Sequence, residues 1–420
     1  MTDSWLIIGG VPLHGRVTPS GSKNGALPSL AAALLLDGET IFHNLPRIAD
    51  VFTMLELLEA VGMRVEGRAG GAVAITNSGL STHRAPPELV GKMRASHYLL
   101  APTLARLGKA ELAHTGGCTI GDRPLGYVID ALAPLGVQCL DCNDRVAAST
   151  AGLVGGRVVL DPKFRSPGAT FTVLMAAATA AGTTVLEHAC FEPDVVRVCE
   201  MLNAAGARIE SAGTETITVH GVPSLHGVTH TINSDRLDAG TFLLAAAATR
   251  GEVFLPRITA AELGRMADTF RQAGLILEEE DGGLRGGCPS RPRAVDVIVS
   301  PFPDFPTDLQ PPLGAVLATA EGTSTLRETI YNNRLQYVSE LRRMGADIEQ
   351  LDEWSLRIRG VPRLHGAEVS GGNIRDGAAL VIAALAADGP STVSGRRFVN
   401  RGYADLEARL RSLGARIEVA

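Results

Sequence analysis

The nine residues Gly116-Gly117-Cys118-Thr119-Ile120-Gly121-Asp122-Arg123-Pro124 gather a thiol, a guanidinium and three glycines into one short stretch. Repeated glycine lets a backbone turn tightly and approach a ligand closely. Pro124 then keeps the loop from entering an ordinary helix interior. Arginine forks onto phosphate or carboxylate, and a cation beside a cysteine favours the reactive thiolate. Cys118 and Arg123 therefore read as a pair suited to handling an anion. A surface turn around a buried cysteine is the plain alternative, and a short motif does not choose between them. Lysine is scarce, at Lys23, Lys92, Lys109 and Lys163 alone, which makes Lys23 in its Gly-Ser-Lys-Asn turn a second candidate for chemistry.

Elements that hold such residues repeat along the chain. A leucine-rich segment ending in glycine and followed by a short β-branched stretch recurs around Gly62, Gly136, Gly206, Gly274, Gly345 and Gly414. An Ala/Leu-rich segment ending in glycine recurs in step with it, at Gly38, Gly108, Gly182, Gly251, Gly322 and Gly389. Ala/Leu segments such as 378–387 predict helices buried on most sides, each ended by a glycine in the left-handed conformation. The Val/Ile/Thr residues that follow, as in 183–186, predict strands. The period of roughly 70 residues exceeds that of solenoid repeats, about 20–50, so two globular halves of three units each are expected. The polar segment 231–235 is the candidate crossover between them.

Composition narrows the class of function. At 420 residues the chain has room for two to four domains of roughly 100–200 residues. A net charge of −6 leaves no electrostatic footprint for nucleic acid. Six cysteines do not make a disulfide scaffold in a chain of this length. Cys139-Leu140-Asp141-Cys142 is a lone pair without a second pair or a histidine at zinc spacing, so it reads as a strand end. No basic segment followed by a long apolar one opens the sequence, and no apolar run approaches a membrane span, so a soluble, cytoplasmic protein is expected.

With loop and repeats in view, the chain resembles the enolpyruvyltransferases. It is more similar to the bacterial enzymes acting on UDP-N-acetylglucosamine than to enolpyruvylshikimate-phosphate synthase. The resemblance runs the whole length and rests on motifs in combination: Gly21-Ser22-Lys23-Asn24-Gly25, Met93-Arg94-Ala95-Ser96, the Cys118 loop, Asp235-Arg236, Phe305-Pro306-Thr307-Asp308, Asn333-Arg334 and Arg401-Gly402-Tyr403. It implies an α/β fold, a two-domain inside-out α/β barrel of six βαβαββ-type repeats, with the active site in the interdomain cleft. The first domain would span 23–231, and the second would combine 1–22 with 232–420.

The chemistry implied is transfer of the enolpyruvyl group of phosphoenolpyruvate to a hydroxyl of a uridine nucleotide, by addition and then elimination of phosphate. No metal or organic cofactor takes part, and neither nucleic acid nor membrane is a partner. By motif, Cys118 would be the acid, and the residue trapped by an epoxide inhibitor, and Asp308 would be the base. Lys23, Arg123 and Arg401 would hold phosphoenolpyruvate, with Arg375 nearby. Asn24, Arg94, Arg123, Pro124, Leu125, Ser166, Gly168, Asp308, Ile330, Tyr331 and Arg334 would face the acceptor. Plainer roles stand beside these: Arg94 and Arg334 as surface ion pairs, Asp308 as a helix cap after Pro306-Thr307, and Asn24 as a cap for a helix starting near Gly25.

Four departures from the family pattern stand out, the first near the phosphoenolpyruvate site; chemistry-side residues are mostly kept, whereas acceptor-side residues have drifted. Asn373-Ile374-Arg375 stands for the usual Asp-Leu-Arg, Asn400 for an aspartate, and Gly126 for the aspartate beside the nucleotide base. The run Lys163-Phe164-Arg165-Ser166-Pro167-Gly168 carries an unusual proline and a rearranged basic residue. Losing carboxylates makes the local potential more positive. That favours an acceptor phosphate carried differently from a diphosphate sugar, whereas the resemblance as a whole makes the sugar 3-hydroxyl of UDP-N-acetylglucosamine, in peptidoglycan precursor synthesis, the main acceptor expected. The rivals are the ribose 3′-hydroxyl of UMP in nucleoside-antibiotic biosynthesis and an inactive, nucleotide-binding paralogue.

Overall fold

A computed structural model describes residues 3–68, 70–116, 125–142 and 144–420. Six helices form the interior: α1 (Lys23–Ala32), α2 (Leu100–Leu107), α3 (Pro167–Ala177), α4 (Arg236–Ala248), α5 (Gln310–Leu317) and α6 (Ile374–Ala386). Small and aliphatic side chains on every side let them pack without a polar face, so nearly every residue of α3, α4 and α6 is buried. Four of them start on a side-chain cap, from Ser22, Ser166, Asp235 and Asn373, each accepting backbone N–H groups of the first turn.

Among the described residues six sheets, one per sequence repeat, lie outside these helices. The one after α5 shows the common plan. Thr323–Arg327 runs parallel to Val297–Ile298 on one side and antiparallel to Ser355–Arg359 on the other, which in turn pairs with Asp347–Gln350. Burial alternates along the strands, with Ser324 and Leu326 buried and Thr323, Thr325 and Arg327 exposed, so one face meets the helices and the other meets water.

The described residues divide into two compact units, one drawn from 21–233 and one joining the segment that ends at Ser20 to Ser234–Ala420. In the first, Leu225–His226 and Thr229–Thr231 return to run parallel to Leu36–His43. In the second, Ser4–Ile8 lies between Pro390–Ser394 and Arg416–Val419, antiparallel to both, and His14–Arg16 runs parallel to Glu252–Phe254.

Eleven of the twelve marker glycines have positive φ; Gly251 does not. There Arg250 takes the left-handed position, and a Cβ on Gly251 would lie 2.0 Å from the Leu13 carbonyl oxygen. Glycine is needed at 251 for close approach. Gly38, Gly182, Gly322 and Gly389 likewise lie three or more residues beyond their helices, just before or inside the following strand. Among the Ala/Leu segments the expected helix-ending role therefore holds at Gly108 and is corrected at the other five. Cys139 falls within the strand Gln138–Asp141, with Cys142 just beyond it. Burial and Asp130 push the Cys139 thiol up to about 11, away from thiolate character. Among the described residues no helix is long and apolar enough to cross a membrane.

Candidate active site

In the unit containing residues 234–420, three core-helix N-termini meet through charged side chains. Pro306 ends an extended segment, and a short 3-10 turn, Thr307–Leu309, leads into α5. Prolines 311 and 312 sit where the first N–H groups of α5 have no intrahelical acceptor. Asp308 projects from this turn. Its Oδ1 accepts from Arg334 Nη2 at 2.8 Å, and its Oδ2 accepts from Arg375 Nη2 at 2.8 Å. Neither the turn nor α5 has a side-chain cap, which sets aside the cap reading of Asp308. Arg334 is only 1% exposed and also donates to the Thr307 carbonyl from Nε and Nη2, so it is no surface ion-pair residue.

Arg375 occupies the first turn of α6, where Asn373 accepts from the backbone N–H groups of Arg375 and Asp376, both at 3.0 Å. An aspartate would make the same cap, so the change to asparagine keeps the helix start and removes only charge. The Arg375 guanidinium lies 5.1 Å from the centre of the Tyr403 ring, and the Tyr403 hydroxyl bonds Thr241 of α4 at 2.8 Å. Burial works against the charge on Arg375, but Asp308, Tyr403 and Asp235 outweigh it and its pKa is raised. Arg401 is half-buried, directly after Asn400, the C-cap of the short helix Arg396–Val399.

Two buried acids that the motifs do not reveal complete this half. Glu328 Oε2 accepts from the Thr307 hydroxyl at 2.9 Å, and its Oε1 accepts from the backbone N–H groups of Thr329 and Ile330 at 3.1 and 2.8 Å. It thereby ties the turn bearing Asp308 to the Ile330-Tyr331 segment. Burial pushes the Glu328 carboxyl above its ordinary range. Asp376, in the first turn of α6, is buried, and its Oδ1 lacks a hydrogen-bond partner among the described residues. Burial pushes it up to about 6, opposed by Arg334.

The 21–233 unit gathers a second set. Ser22 caps α1, so Lys23 is its first residue and Asn24 lies inside the first turn; the expectation that Asn24 caps this helix is corrected. Lys23 Nζ is 3.6 Å from Asp50 Oδ2. Arg94 opens the 3-10 helix Arg94–Leu99 that precedes α2, and its carbonyl meets His97 Nδ1 at 2.8 Å. Ser166 caps α3 through Ala169 N–H, with Pro167 at the first helical position. A Cβ on Gly168 would come within 3.0 Å of His97 Nε2, so glycine lets the α3 start close on the Arg94 helix. Burial raises the Tyr98 pKa against the charge of Arg94, and the Tyr98 ring packs edge-on against Phe171 of α3 at 5.6 Å.

Leu125 directly precedes the helix Gly126–Leu132, where Tyr127 meets Phe164 of the Ser166 loop with ring centres 5.6 Å apart. Around Gly126 a Cβ would meet nothing within 4 Å among the described residues. Cys118, Arg123 and Pro124 lie outside the described residues. Helix N-termini carry partial positive charge and unpaired N–H groups. Each unit therefore brings helix starts and arginines to one place, a setting for anionic substrates. The Arg334–Asp308–Arg375 group adds a carboxylate held at both oxygens.

The family model for EPSP synthase (3-phosphoshikimate 1-carboxyvinyltransferase) matches residues 7–410. The chain is 43% identical over 420 residues to the UDP-N-acetylglucosamine 1-carboxyvinyltransferase of Gloeobacter violaceus, spanning 100% of this chain and 91% of that one. It is 42% identical to the enzyme of that name from Ruegeria pomeroyi, over 99% of both chains. Among solved structures, the enolpyruvyl transferase NikO from Streptomyces tendae superposes with a TM-score of 0.90 at 27% identity, covering 99% of this chain and 98% of that one. EPSP synthase from Acinetobacter baumannii, with a TM-score of 0.77 at 20% identity and 100% of both chains covered, shares the fold.

Proposed function

The chain belongs to the EPSP synthase (3-phosphoshikimate 1-carboxyvinyltransferase) family, and we propose that it transfers the enolpyruvyl group of phosphoenolpyruvate to the sugar 3-hydroxyl of UDP-N-acetylglucosamine, releasing phosphate in peptidoglycan precursor synthesis. Full-length identity above 40% to enzymes named for that acceptor carries this reading. We place the reaction in the cytoplasm, where cysteines such as Cys142 stay reduced. In family terms each unit is an inside-out barrel.

In this reading Asp308 accepts the proton of the acceptor hydroxyl. The freed oxygen attacks C2 of phosphoenolpyruvate while Cys118 delivers a proton to the C3 methylene, leaving a tetrahedral adduct that still bears phosphate. Loss of a C3 proton and of phosphate then restores the double bond. Arg334 and Arg375 fix both oxygens of Asp308 and so set the direction of its lone pairs. Lys23, Arg123 and Arg401 hold the phosphate and carboxylate of phosphoenolpyruvate, where charge-assisted bonds are strongest. Asn24, Arg94, Leu125, Ser166, Gly168, Ile330 and Tyr331 face the acceptor. The sequence of steps is redox-neutral and needs an acid, a base and cations, which these side chains supply, so no cofactor is assigned.

The deciding experiment measures phosphate release from phosphoenolpyruvate with UDP-N-acetylglucosamine and with UMP in parallel. Release with the diphosphate sugar supports the proposal. Release with UMP alone overturns the acceptor assignment and makes Gly126, the Ser166 loop and Asn373 the specificity determinants. Binding without release in either case would instead mark an inactive paralogue.

A further inference from the structure

At the opposite, C-terminal ends of the core helices, the two units differ at one equivalent place. In the repeat of α5, the Arg291 guanidinium donates from Nε to the Thr319 carbonyl at 2.8 Å, and from Nη2 to the carbonyls of Ala320 and Gly360 at 2.9 and 3.0 Å. Thr319 and Ala320 follow the end of α5, and Gly360 follows the strand Ser355–Arg359. One side chain thus closes a ring of three acceptors at the negative end of a helix.

The repeat of α3 builds the same ring from Thr179, Ala180 and Gly221. Gly221 N–H donates to Gly182 at 2.9 Å and Val222 N–H to Ala178 at 3.0 Å, as Gly360 does to Gly322 at 3.0 Å and Val361 to Ala318 at 2.9 Å. A Cβ on Gly221 would sit 1.7 Å from the Ala180 carbonyl oxygen, and one on Gly360 would sit 1.8 Å from that of Ala320. Gly155 N–H bonds the Ala181 carbonyl as Ala294 N–H bonds that of Glu321. Arg291, three residues before Ala294, therefore corresponds to Gly152, three before Gly155. The α6 repeat keeps an arginine here too: Gly366 N–H bonds the Asp388 carbonyl, and Arg363, three residues earlier, pairs with the Asp388 side chain.

Where Arg291 would lie, the α3 repeat has a cavity of about 590 Å³. Thr179, Ala180, Gly221 and Gly152 line it, with Leu104 and Leu153 behind them and no charged side chain in the wall. We propose that this cavity is a guanidinium-binding site: a ligand's planar cation takes the place of Arg291 against the Thr179, Ala180 and Gly221 carbonyls, and its apolar arm rests on the aliphatic wall. Charge, donor directions and shape are those that the chain itself supplies two repeats later. The guanidinium comes either from a free small molecule or from an arginine of a second copy of this chain.

Methylguanidinium is the probe, titrated into the full chain by ligand-observed NMR. Urea (donors without charge) and tetramethylammonium (charge without donors) are the controls. Methylguanidinium is expected to bind at one site per chain at least tenfold more tightly than either control. Gly152→Arg and Ala151→Arg each bring an internal guanidinium to the cavity and are expected to abolish that binding; Ala151 is included because Gly152 has φ of +155°. Arg291→Ala is expected to raise the stoichiometry from one to two. Equal binding of all three probes, no binding, undiminished binding in folded 151 and 152 variants, or a stoichiometry unmoved by Arg291→Ala each overturns the proposal. Sedimentation separates the sources: a dimer dissolved by methylguanidinium identifies the second copy, and a monomer throughout identifies a free guanidino compound.

Discussion

Asp376→Asn is predicted to stabilise the protein near neutral pH and to lose that advantage in acid. Burial with one oxygen unpartnered pushes the Asp376 carboxyl from its ordinary 3.8 up to about 6. The folded state therefore disfavours the ionised form. The stability tied to this group is fully present below pH 3.8 and is lost as pH rises through about 6. A rise of about two pH units corresponds to about 3 kcal/mol of penalty at pH 8, falling below about 1 kcal/mol near pH 4. Asparagine keeps the size of the side chain and carries no charge to desolvate. Hydrogen exchange of the α6 amides, followed by mass spectrometry at pH 4 and pH 8, reads the difference within the helix itself. The protection gained by the variant should grow by about 2 kcal/mol between the two conditions. A gain equal at both pH values, or a loss at pH 8, would show that Asp376 is not held against its charge and would refute the reasoning. Retaining such a group beside Arg334 is the pattern expected where stability is exchanged for function.

Asp308→Ala should lower kcat by about 10²–10⁴ with little change in acceptor affinity, the loss expected for a general base; normal turnover at saturating acceptor would leave it a positioning role. The same variant strands the buried Arg334 and Arg375 charges and should cost about 3 kcal/mol of stability in denaturant titrations. Cys118→Ser should abolish labelling by an epoxide inhibitor, and full labelling seen by mass spectrometry would end its assignment as the trapped residue. Gly126→Asp should fold normally, since nothing described crowds that position. It should tighten binding of UDP-N-acetylglucosamine measured by calorimetry, and an unchanged Kd would remove Gly126 from the specificity determinants.

Repetition made the architecture legible in the sequence, because each glycine marker falls in the local passage from a helix to a strand. Strand sharing left no such trace. Ser4–Ile8 pairs with Pro390–Ser394 across nearly the whole chain, and an alternating apolar stretch does not name its partner. At the site, motifs pointed to Asp308, Arg334 and Arg375, but Pro-Thr-Asp before a helix favoured a cap by local rules. Only tertiary structure shows its two oxygens taken by arginines. Glu328 continues the inward register of Ser324 and Leu326, so the alternation of its strand points it to the buried face and only its charge argued for exposure. Asp376 in a first helical turn reads as ordinary dipole complementation. Nothing local separates Asp376 from a surface acid.

The placement of Ser4–Ile8 between the strands Pro390–Ser394 and Arg416–Val419 also sets an order of events on the ribosome. Residues 21–233 contain every partner strand of their own three sheets and can close while the rest is still being made. The leading segment must wait, since both of its neighbours in the sheet emerge last. Until they do, it is an unpaired apolar strand in a half-finished protein, the kind of edge that recruits chaperones or other chains. Joining the two ends through a short linker and opening the chain near Asn233 would give a permuted protein whose two halves each fold as they are synthesised.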